Sequence, residues 1–439
     1  MHSEETGVAD DSSDYKRKPT WCRKFPSVGK GTFSFRAERS TPFNIAVRLL
    51  TSTGEYADDV WITLAVRKTE AMFLVNLNGA IKKVSKATTE SFGKCVGYEP
   101  HKKVTYWLSY DRDKMLLKYG KGHRMKETTI LTADFNKYVK RDATLKDHFF
   151  SNSKERWIQM YDSRTIFAFG EIKEKVDEQV TFDVEPVVTT RSPFVKDSSQ
   201  ANMFDIDGGR YTFSADLPEA CQTLYSNVTA PHITLNWAPS ETNRHIQLSD
   251  AIRHSLQTKD GVLYKKLLEK KERSGGLFNE MYLRVTLGES LGKSPGVPYV
   301  LEIWPKGHGS PIHSHGNAYG VIRVLHGGVT VYVYNKDSSD RNEEPLLSFK
   351  TKYDDVTWLS PNWFQTHKLW NDTDDFCATL QCYQYGEEDE NHCPYFEYIS
   401  KTNQKGQFTP NSDFTFLNMF QLVMSEYKTY LKKKHCKVM

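Results

Sequence analysis

Three histidines carry the clearest chemical signal in the sequence. His313 and His315 are separated by one residue in GHGSPIHSHG at 307–316, and His367 lies in SPNWFQTHKLWN at 360–371. Side chains at i and i+2 of a β-strand point to the same side, so a strand here would turn both imidazoles of the pair toward one point. Imidazole is a common ligand of divalent transition metals. The spacing therefore predicts a metal site held by His313, His315 and His367, with coordination positions left open.

A second interpretation is that these histidines are structural and satisfied by hydrogen bonds. An H-x-H pair with a distant third histidine is more typical of a metal site, and we favour that hypothesis. His308 and His326 lie in the same region but break the strand alternation with the pair. We therefore leave both out of the predicted ligand set.

The arrangement G-x5-H-x-H, from Gly307 to His315, followed by Gly327 and later by His367, resembles the metal-binding motif of the cupin barrel. Cupins usually carry a glutamate a few residues after the second histidine, where this sequence has Gly320. Three neutral ligands would leave the metal its full dipositive charge. That charge favours an anionic chelate such as a thiolate.

The string W-x-x-GHGS-x-IHSH, from Trp304 to His315, resembles the metal-binding strand of the cysteine dioxygenase family. The resemblance covers about residues 245–400. It implies a non-haem enzyme in which His313, His315 and His367 hold iron(II), Fe(2+). The implied partners are a small thiol and dioxygen, and the implied reaction oxidises L-cysteine to cysteine sulfinic acid.

The same resemblance nominates further site residues. Arg284, in MYLRVTL, falls where the family holds the substrate carboxylate, with Tyr282 beside it. A guanidinium group suits a carboxylate because it stays charged and offers parallel donors. Tyr383, in TLQCYQYG, takes the place of the active-site tyrosine, and Gln381 and Thr379 share its strand face. We expect Tyr282, Arg284 and Gln381 to bind substrate and Tyr383 to donate a hydrogen bond in catalysis.

Two features depart from the family pattern. Many members have a serine and a histidine where this sequence has Thr379 and Gln381, and a glutamine forms hydrogen bonds but cannot titrate. Animal members form a thioether crosslink between the tyrosine and a cysteine. Gly320 stands at that cysteine's position, so no crosslink is expected here.

Other functions stay open on these residues. One is a dioxygenase of another small thiol, such as 3-mercaptopropionate. Another is a non-catalytic metal-binding cupin that binds a small acid or scaffolds the N-terminal half. Metal content separates an enzyme from a binding module, because the enzyme should purify with iron.

The rest of the sequence predicts the elements that position this site. The pattern is mainly β: short alternating runs typical of an antiparallel β-sandwich, then a cupin (double-stranded β-helix, jelly-roll) barrel with flanking helices. Proline and glycine are frequent between the two patterns, which indicates a linker. The predicted organisation is a disordered tail at 1–30, a β-sandwich-like module at 31–188, a linker at 189–244 and a cysteine dioxygenase-like cupin domain at 245–439.

Helical periodicity is predicted at 248–256, with Ser249 as N-cap, at 262–271 and at 413–435. Because every predicted site residue lies in the C-terminal half, a fragment beginning near Asn236 is expected to fold alone.

The N-terminal module resembles the β-sandwich domain named after farnesoic acid O-methyltransferase, but no glycine-rich cofactor loop indicates methyl transfer. The segment 102–124 of this module mixes basic residues with aromatic residues, a composition that suits binding to a glycan or a nucleic acid. A solvated β-hairpin has the same alternation and is the favoured interpretation. We expect a binding or scaffold module whose partner is an unidentified protein or glycan.

Composition excludes several classes of protein. The 439 residues carry a net charge of +4 from 59 basic and 55 acidic residues, so no nucleic-acid partner is expected. The sequence contains no run of about 18 apolar residues, so no membrane span is expected. The seven cysteines are odd in number and include no C-x-x-C pair, and the first residues lack an apolar secretory segment. These features predict a cytoplasmic protein with reduced thiols.

Overall fold

The chain separates into two units, Met1–Thr190 and Arg191–Met439, in the computed structural model. The tail expected at 1–30 lies largely outside the residues that the structure describes, although Trp21–Lys24 form a strand. The described residues are 21–24, 30–50, 56–77, 80–136, 156–162, 180–183, 186–187, 191–230, 233–235, 246–287, 297–385, 395–409 and 411–436.

Two antiparallel sheets make up the described part of the N-terminal unit. Its elements are β1 (Trp21–Lys24), β2 (Lys30–Glu38), β3 (Phe43–Leu50), β4 (Tyr56–Val66), β5 (Glu70–Leu77), β6 (Ala80–Thr88), α1 (Thr89–Phe92), β7 (Lys103–Asp111), β8 (Leu116–Lys121), β9 (Thr129–Asp134), β10 (Arg156–Asp162) and β11 (Val180–Asp183). One sheet has the order β1-β10-β3-β4-β5-β6, and the other has the order β11-β2-β7-β8-β9.

Residues from both sheets share one apolar core in this unit. Phe33 and Phe35 of β2 pack in the same buried cluster as Ile45, Ile62 and Phe73 of the other sheet. This packing confirms the predicted sandwich. Strands β7 and β8 pair as the predicted hairpin, but most of their residues are buried, so the hairpin is not solvated on one face as expected.

The C-terminal unit consists of two sheets and several helices. Its elements are β12 (Phe194–Lys196), α2 (Met203–Asp207), β13 (Thr212–Phe213), α3 (Glu219–Val228), α4 (Leu248–Gln257), α5 (Val262–Ser274), β14 (Leu283–Thr286), β15 (Val297–Trp304), β16 (His313–Ser314), β17 (Ala318–His326), β18 (Thr330–Val333), β19 (Leu347–Lys350), β20 (Val356–Leu359), β21 (Thr366–Trp370), β22 (Cys377–Tyr385), β23 (Phe396–Ile399), β24 (Lys405–Phe408), β25 (Phe414–Thr415) and α6 (Phe416–Cys436).

These strands form a double-stranded β-helix. One sheet has the order β13-β12-β20-β17-β22-β15-β14-β25, and the other has the order β19-β18-β21-β16-β23-β24. Side chains from both sheets line a cavity between them. The mainly β fold class, with a sandwich followed by a cupin barrel and flanking helices, is therefore confirmed.

The stretch predicted as a linker at 189–244 contributes structure to the C-terminal unit. Strand β12 pairs antiparallel with β20 of the barrel, and β13 pairs with β12. Helix α3 buries Cys221, Leu224 and Val228. The strands β12 and β13 have only three and two residues, which is too short for a visible periodicity.

The three predicted helices are present with adjusted ends. Helix α4 begins at Leu248 after Gln247 as N-cap, so Ser249 lies in the first turn and not at the cap. Helix α5 extends to Ser274, where Gly275 ends it with φ 62°. None of the described helices is both long enough and apolar enough to cross a bilayer.

Candidate metal centre

The three predicted ligand histidines converge in the barrel. His313 on β16 pairs directly with His367 on the antiparallel strand β21, so their side chains start from neighbouring positions. His315 follows β16, and its Nε2 lies 3.4 Å from Nε2 of His367. One potential ligand atom from each histidine lies within 4.8 Å of the other two. This group could hold a metal ion.

Backbone carbonyls orient two of the three rings. Nδ1 of His367 lies 2.9 Å from the carbonyl oxygen of Phe364, and Nδ1 of His313 lies 3.1 Å from that of Pro311. A Nδ1–H donated to a carbonyl leaves Nε2 unprotonated and ready to bind a metal. Phe364 has φ 57°, a left-handed conformation that is uncommon for a bulky residue, in the turn that supports His367.

Burial keeps these imidazoles neutral. It lowers the pKa of His313 to about 3, with help from His367 and Arg284, and the pKa of His367 to about 4. Burial and the two neighbouring imidazoles hold the pKa of His315 well below its usual value. A metal ligand must be unprotonated, so the donor set fits a divalent transition metal.

His308 and His326 lie outside this group. Nδ1 of His308 is 2.7 Å from the carbonyl oxygen of Met281, and Nε2 of His326 is 2.9 Å from a carboxylate oxygen of Asp375.

Arg284 lies in the same cavity but already has a carboxylate partner. Its Nη1 donates to Oε1 of Glu302 over 2.8 Å, and both side chains are almost completely buried. The pair is formed across the sheet, because Arg284 of β14 and Glu302 of β15 are register partners. Burial acts to lower the pKa of Arg284, but Glu302 and the Tyr282 hydroxyl more than offset this effect, so the pKa rises. Burial raises the pKa of Glu302, and Arg284 offsets only part of the rise.

Tyr282 supports this arginine from the side. Its ring stacks on Trp304 with centroids 4.1 Å apart, and Nζ of Lys270 lies 4.9 Å from its centroid. Burial, with a smaller contribution from Glu302, raises the pKa of Tyr282. The phenol is therefore a neutral hydrogen-bonding group that contacts Arg284.

Strand β22 places Thr379, Gln381 and Tyr383 on one wall of the cavity. The Tyr383 hydroxyl donates to Oε1 of Gln381, and Nε2 of Gln381 donates to Oε2 of Glu302 over 2.5 Å. Burial holds the pKa of Tyr383 well above 10, so the phenol stays protonated. Its ring stacks on His315 with centroids 5.1 Å apart. A hydrogen-bonded chain thus links Arg284 to Tyr383 beside the histidines.

Sequence reasoning missed Glu302 and also missed the neighbouring ion pair between Lys270 and Asp413. Nζ of Lys270 donates to Oδ2 of Asp413 over 2.8 Å, and the same carboxylate accepts from the backbone N–H of Arg284 over 2.9 Å. The signal for Glu302 was visible, since it is the one acidic residue in the apolar strand VPYVLEIW. A carboxylate in such a strand requires a buried partner.

The site has a small inner space and a wide approach. The inner cavity between the sheets has a volume of about 40 Å³, enough for a few water molecules or a small head group. A cleft of about 590 Å³ shares Tyr282, Arg284 and His313 with the inner cavity and is also lined by Lys266 and Arg273. The cleft therefore adjoins the inner cavity at these three shared residues.

No family model matches the chain. Among solved structures, a cupin domain of Cnp3 from Schizosaccharomyces pombe is 14% identical with a TM-score of 0.19, over 24% of this chain and 65% of that chain. A double-stranded β-helix protein from Klebsiella pneumoniae is 16% identical with a TM-score of 0.21, over 28% of this chain and 83% of that chain. A cupin family protein from Methanocaldococcus jannaschii is 14% identical with a TM-score of 0.18, over 24% of this chain and 81% of that chain.

Proposed function

We propose that the C-terminal unit is a non-haem iron thiol dioxygenase, with L-cysteine, oxidised to cysteine sulfinic acid, as the first candidate substrate. The observation that carries the proposal is a buried group of three neutral histidines that shares a small cavity with Tyr383 and Arg284. The resemblance of the segment Trp304–His315 to the cysteine dioxygenase family supports the same reaction.

The reaction converts R–SH and O₂ to R–SO₂H. The S–H proton is released when the thiolate forms. The product is the sulfinate R–SO₂⁻, which takes up one proton to give the sulfinic acid R–SO₂H. Sulfur is oxidised, dioxygen is reduced, and both oxygen atoms remain on sulfur. A bound iron(II) would supply the redox chemistry and the Lewis acidity that lowers the pKa of the thiol.

The chain's own residues hold and shield the reacting groups. His313, His315 and His367 would bind the metal, and the carbonyls of Pro311 and Phe364 fix two of these rings. Tyr383, neutral and beside His315, would exchange its hydrogen bond to Gln381 for one to the sulfur of the thiol or to dioxygen. The small cavity keeps bulk water away, which strengthens each of these contacts.

Oxygen uptake by the full-length protein tests the proposal. The protein is stripped with a chelator and reloaded with iron(II), zinc or manganese. Uptake is then measured with cysteine, cysteamine and 3-mercaptopropionate, and mass spectrometry with isotopically labelled dioxygen follows the sulfinate. We expect uptake only with iron(II) and two labelled oxygen atoms in each product molecule.

Two variants serve as controls. His315→Gln should lose iron and uptake, whereas His326→Gln, which alters a histidine outside the ligand group, should retain both. Binding of metal without uptake of oxygen for any thiol would reject the dioxygenase and leave a non-catalytic metal-binding cupin. A clear preference for 3-mercaptopropionate would keep the reaction and replace cysteine as the substrate.

A further inference from the structure

The charges beside the histidines are already balanced. Four charged side chains, from Lys270, Arg284, Glu302 and Asp413, form two ion pairs in one connected cluster. Arg284 and Glu302 are 5% and 4% exposed, and Asp413 is 7% exposed. Two cations and two anions sum to zero. The cluster therefore offers no unpaired cation to a substrate.

A free substrate carboxylate would enter this cluster as an additional anion. It would lie beside Glu302, and two carboxylates that share a buried site repel each other strongly. Displacing Glu302 from Arg284 would also break the hydrogen bond from Gln381, which links Glu302 to Tyr383. Capture of a carboxylate by Arg284 is therefore opposed by the residues that surround it.

A neutral acceptor does not meet this opposition. The Nε–H of Arg284 is buried and lacks a hydrogen-bond partner among the described residues. A buried donor without a partner costs about 1–3 kcal/mol, so an acceptor that enters the site is favoured. The carbonyl oxygen of an amide would satisfy this donor without adding charge.

The cleft gives such a substrate room. The inner cavity of about 40 Å³ takes only a thiol head group, while the adjoining cleft of about 590 Å³ is lined by Arg284 and by the cations Lys266 and Arg273. A group attached through an amide at the head would leave the inner cavity past Arg284 and lie in the cleft.

Building on the proposed dioxygenase function, we infer that the enzyme turns over an aminothiol without a free carboxylate faster than free L-cysteine, and that Glu302 determines this preference. The carboxyl group is either absent, as in cysteamine, or tied up in an amide, as in a cysteine that begins a peptide. Glu302 is a specificity-determining residue that acts through Arg284.

Kinetics of the iron-loaded protein test this inference. The thiols are cysteine, cysteinamide, cysteamine and a short peptide that begins with cysteine. We expect kcat/KM to be about tenfold or more higher for cysteinamide than for cysteine, the size of effect expected for one buried charged contact. Cysteamine has no carboxyl group, whereas the cysteine carboxyl group of the peptide is in an amide, so these two thiols distinguish the two kinds of substrate. The amide hydrogen bond and the cleft favour the peptide.

The Glu302→Gln variant frees the guanidinium while it keeps the size of the side chain. It should lower the ratio of cysteinamide to cysteine by about tenfold, mainly through faster turnover of cysteine. Asp354→Asn is the matched control, because Asp354 pairs with Arg323 outside the cavity. That control should leave the ratio unchanged.

Wild-type protein that prefers cysteine to cysteinamide would overturn the inference, and so would an unchanged ratio in Glu302→Gln. The wild-type ratio decides by itself if the variant does not fold. Failure of the dioxygenase proposal gives a different result, in which no thiol of the panel supports oxygen uptake.

Discussion

Tyr383 lies with the edge of its ring against the backbone of Gly320. The two residues are register partners on β22 and β17, and a Cβ atom at position 320 would come within 2.8 Å of Cδ1 and Cε1 of the tyrosine. Real Cβ atoms do not approach other atoms this closely, so any side chain at 320 must displace the ring. The glycine therefore sets the position of Tyr383 beside His315.

Gly320→Ala should misplace the tyrosine while the histidines stay in position. Overpacking of this kind typically costs about 1–3 kcal/mol of stability. We expect metal content near that of the wild type, oxygen uptake reduced by about tenfold or more, and a lower Tm. A variant with unchanged turnover would show that the position of the Tyr383 ring does not matter for the reaction.

Tyr383→Phe keeps the ring and removes the hydroxyl. The expected loss is about tenfold in kcat, the size of effect of one hydrogen bond made in the reaction, with iron content unchanged. Because the pKa of Tyr383 lies well above 10, the wild-type rate should show no ionisation of this group at neutral pH. Equal rates for the two proteins across the pH range would remove Tyr383 from the mechanism.

Each histidine of the ligand group should be needed for metal binding. Loss of groups that merely orient a ligand typically costs about 10–100-fold in metal affinity, so loss of a ligand should cost more. We expect His313→Ala, His315→Ala and His367→Ala each to purify with little iron and to give far-ultraviolet circular dichroism like that of the wild type. His308→Ala serves as the control. Full iron occupancy in His367→Ala would show that the third ligand is a different residue.

The convergence of His313 and His315 was predictable because its signal is local. His313 and His315 are two residues apart, and strand geometry alone brings their rings together. The pairing of Arg284 with Glu302 was not predictable, because it depends on the register between β14 and β15. Register is a property of the folded sheet and is not carried by either strand alone.

The edge of the barrel shows the same limit. Strand β12 has three residues, and its pairing with β20 becomes visible only in the folded sheet. The proline and glycine residues around β12 predict a linker from sequence alone. The same residues also occur in ordered turns, so this signal does not distinguish a linker from a folded segment. Local sequence signals therefore predicted which histidines lie close together, but not the strand pairing of the segment before the barrel.

The start of the folding unit can be tested with two fragments. A fragment of residues 191–439 keeps β12 and α3, whereas a fragment that starts near Asn236 loses both. Trp358 donates from Nε1 to the carbonyl oxygen of Ser192 over 2.9 Å, and the buried Cys221 of α3 contacts the carbonyl of Leu359 over 3.5 Å. These contacts cover β20, which lines the cavity.

We therefore expect the longer fragment to be soluble and cooperatively folded, and the shorter one to aggregate or to unfold at a lower temperature. Thermal unfolding followed by circular dichroism makes the comparison. Equal Tm values would show that 191–235 is dispensable and would restore the linker interpretation.

The free energy of unfolding of the metal-free protein, prepared with a chelator, should fall as the pH falls. The pKa of His313 is about 3 and that of His367 is about 4 in the folded state, against about 6.5 in an unfolded chain. Between these values the unfolded chain binds protons that the folded chain excludes, so the free energy of unfolding rises with pH and is lost on acidification. Each such histidine contributes up to about 1.4 kcal/mol per pH unit in this window. Glu302, whose pKa burial raises, acts in the opposite direction and reduces the slope.

Urea unfolding of the fragment 191–439, in the presence of chelator, measures this slope between about pH 7 and about pH 5. His367→Gln removes one of the buried imidazoles and should reduce the slope by about one proton. His254→Gln is the control, because His254 stacks on Tyr430 away from the cavity. A slope that is identical in the wild type and in His367→Gln would mean that His367 is protonated equally in the folded and unfolded states. It would then be a poor ligand at neutral pH, and the three-histidine site would have to be reassigned.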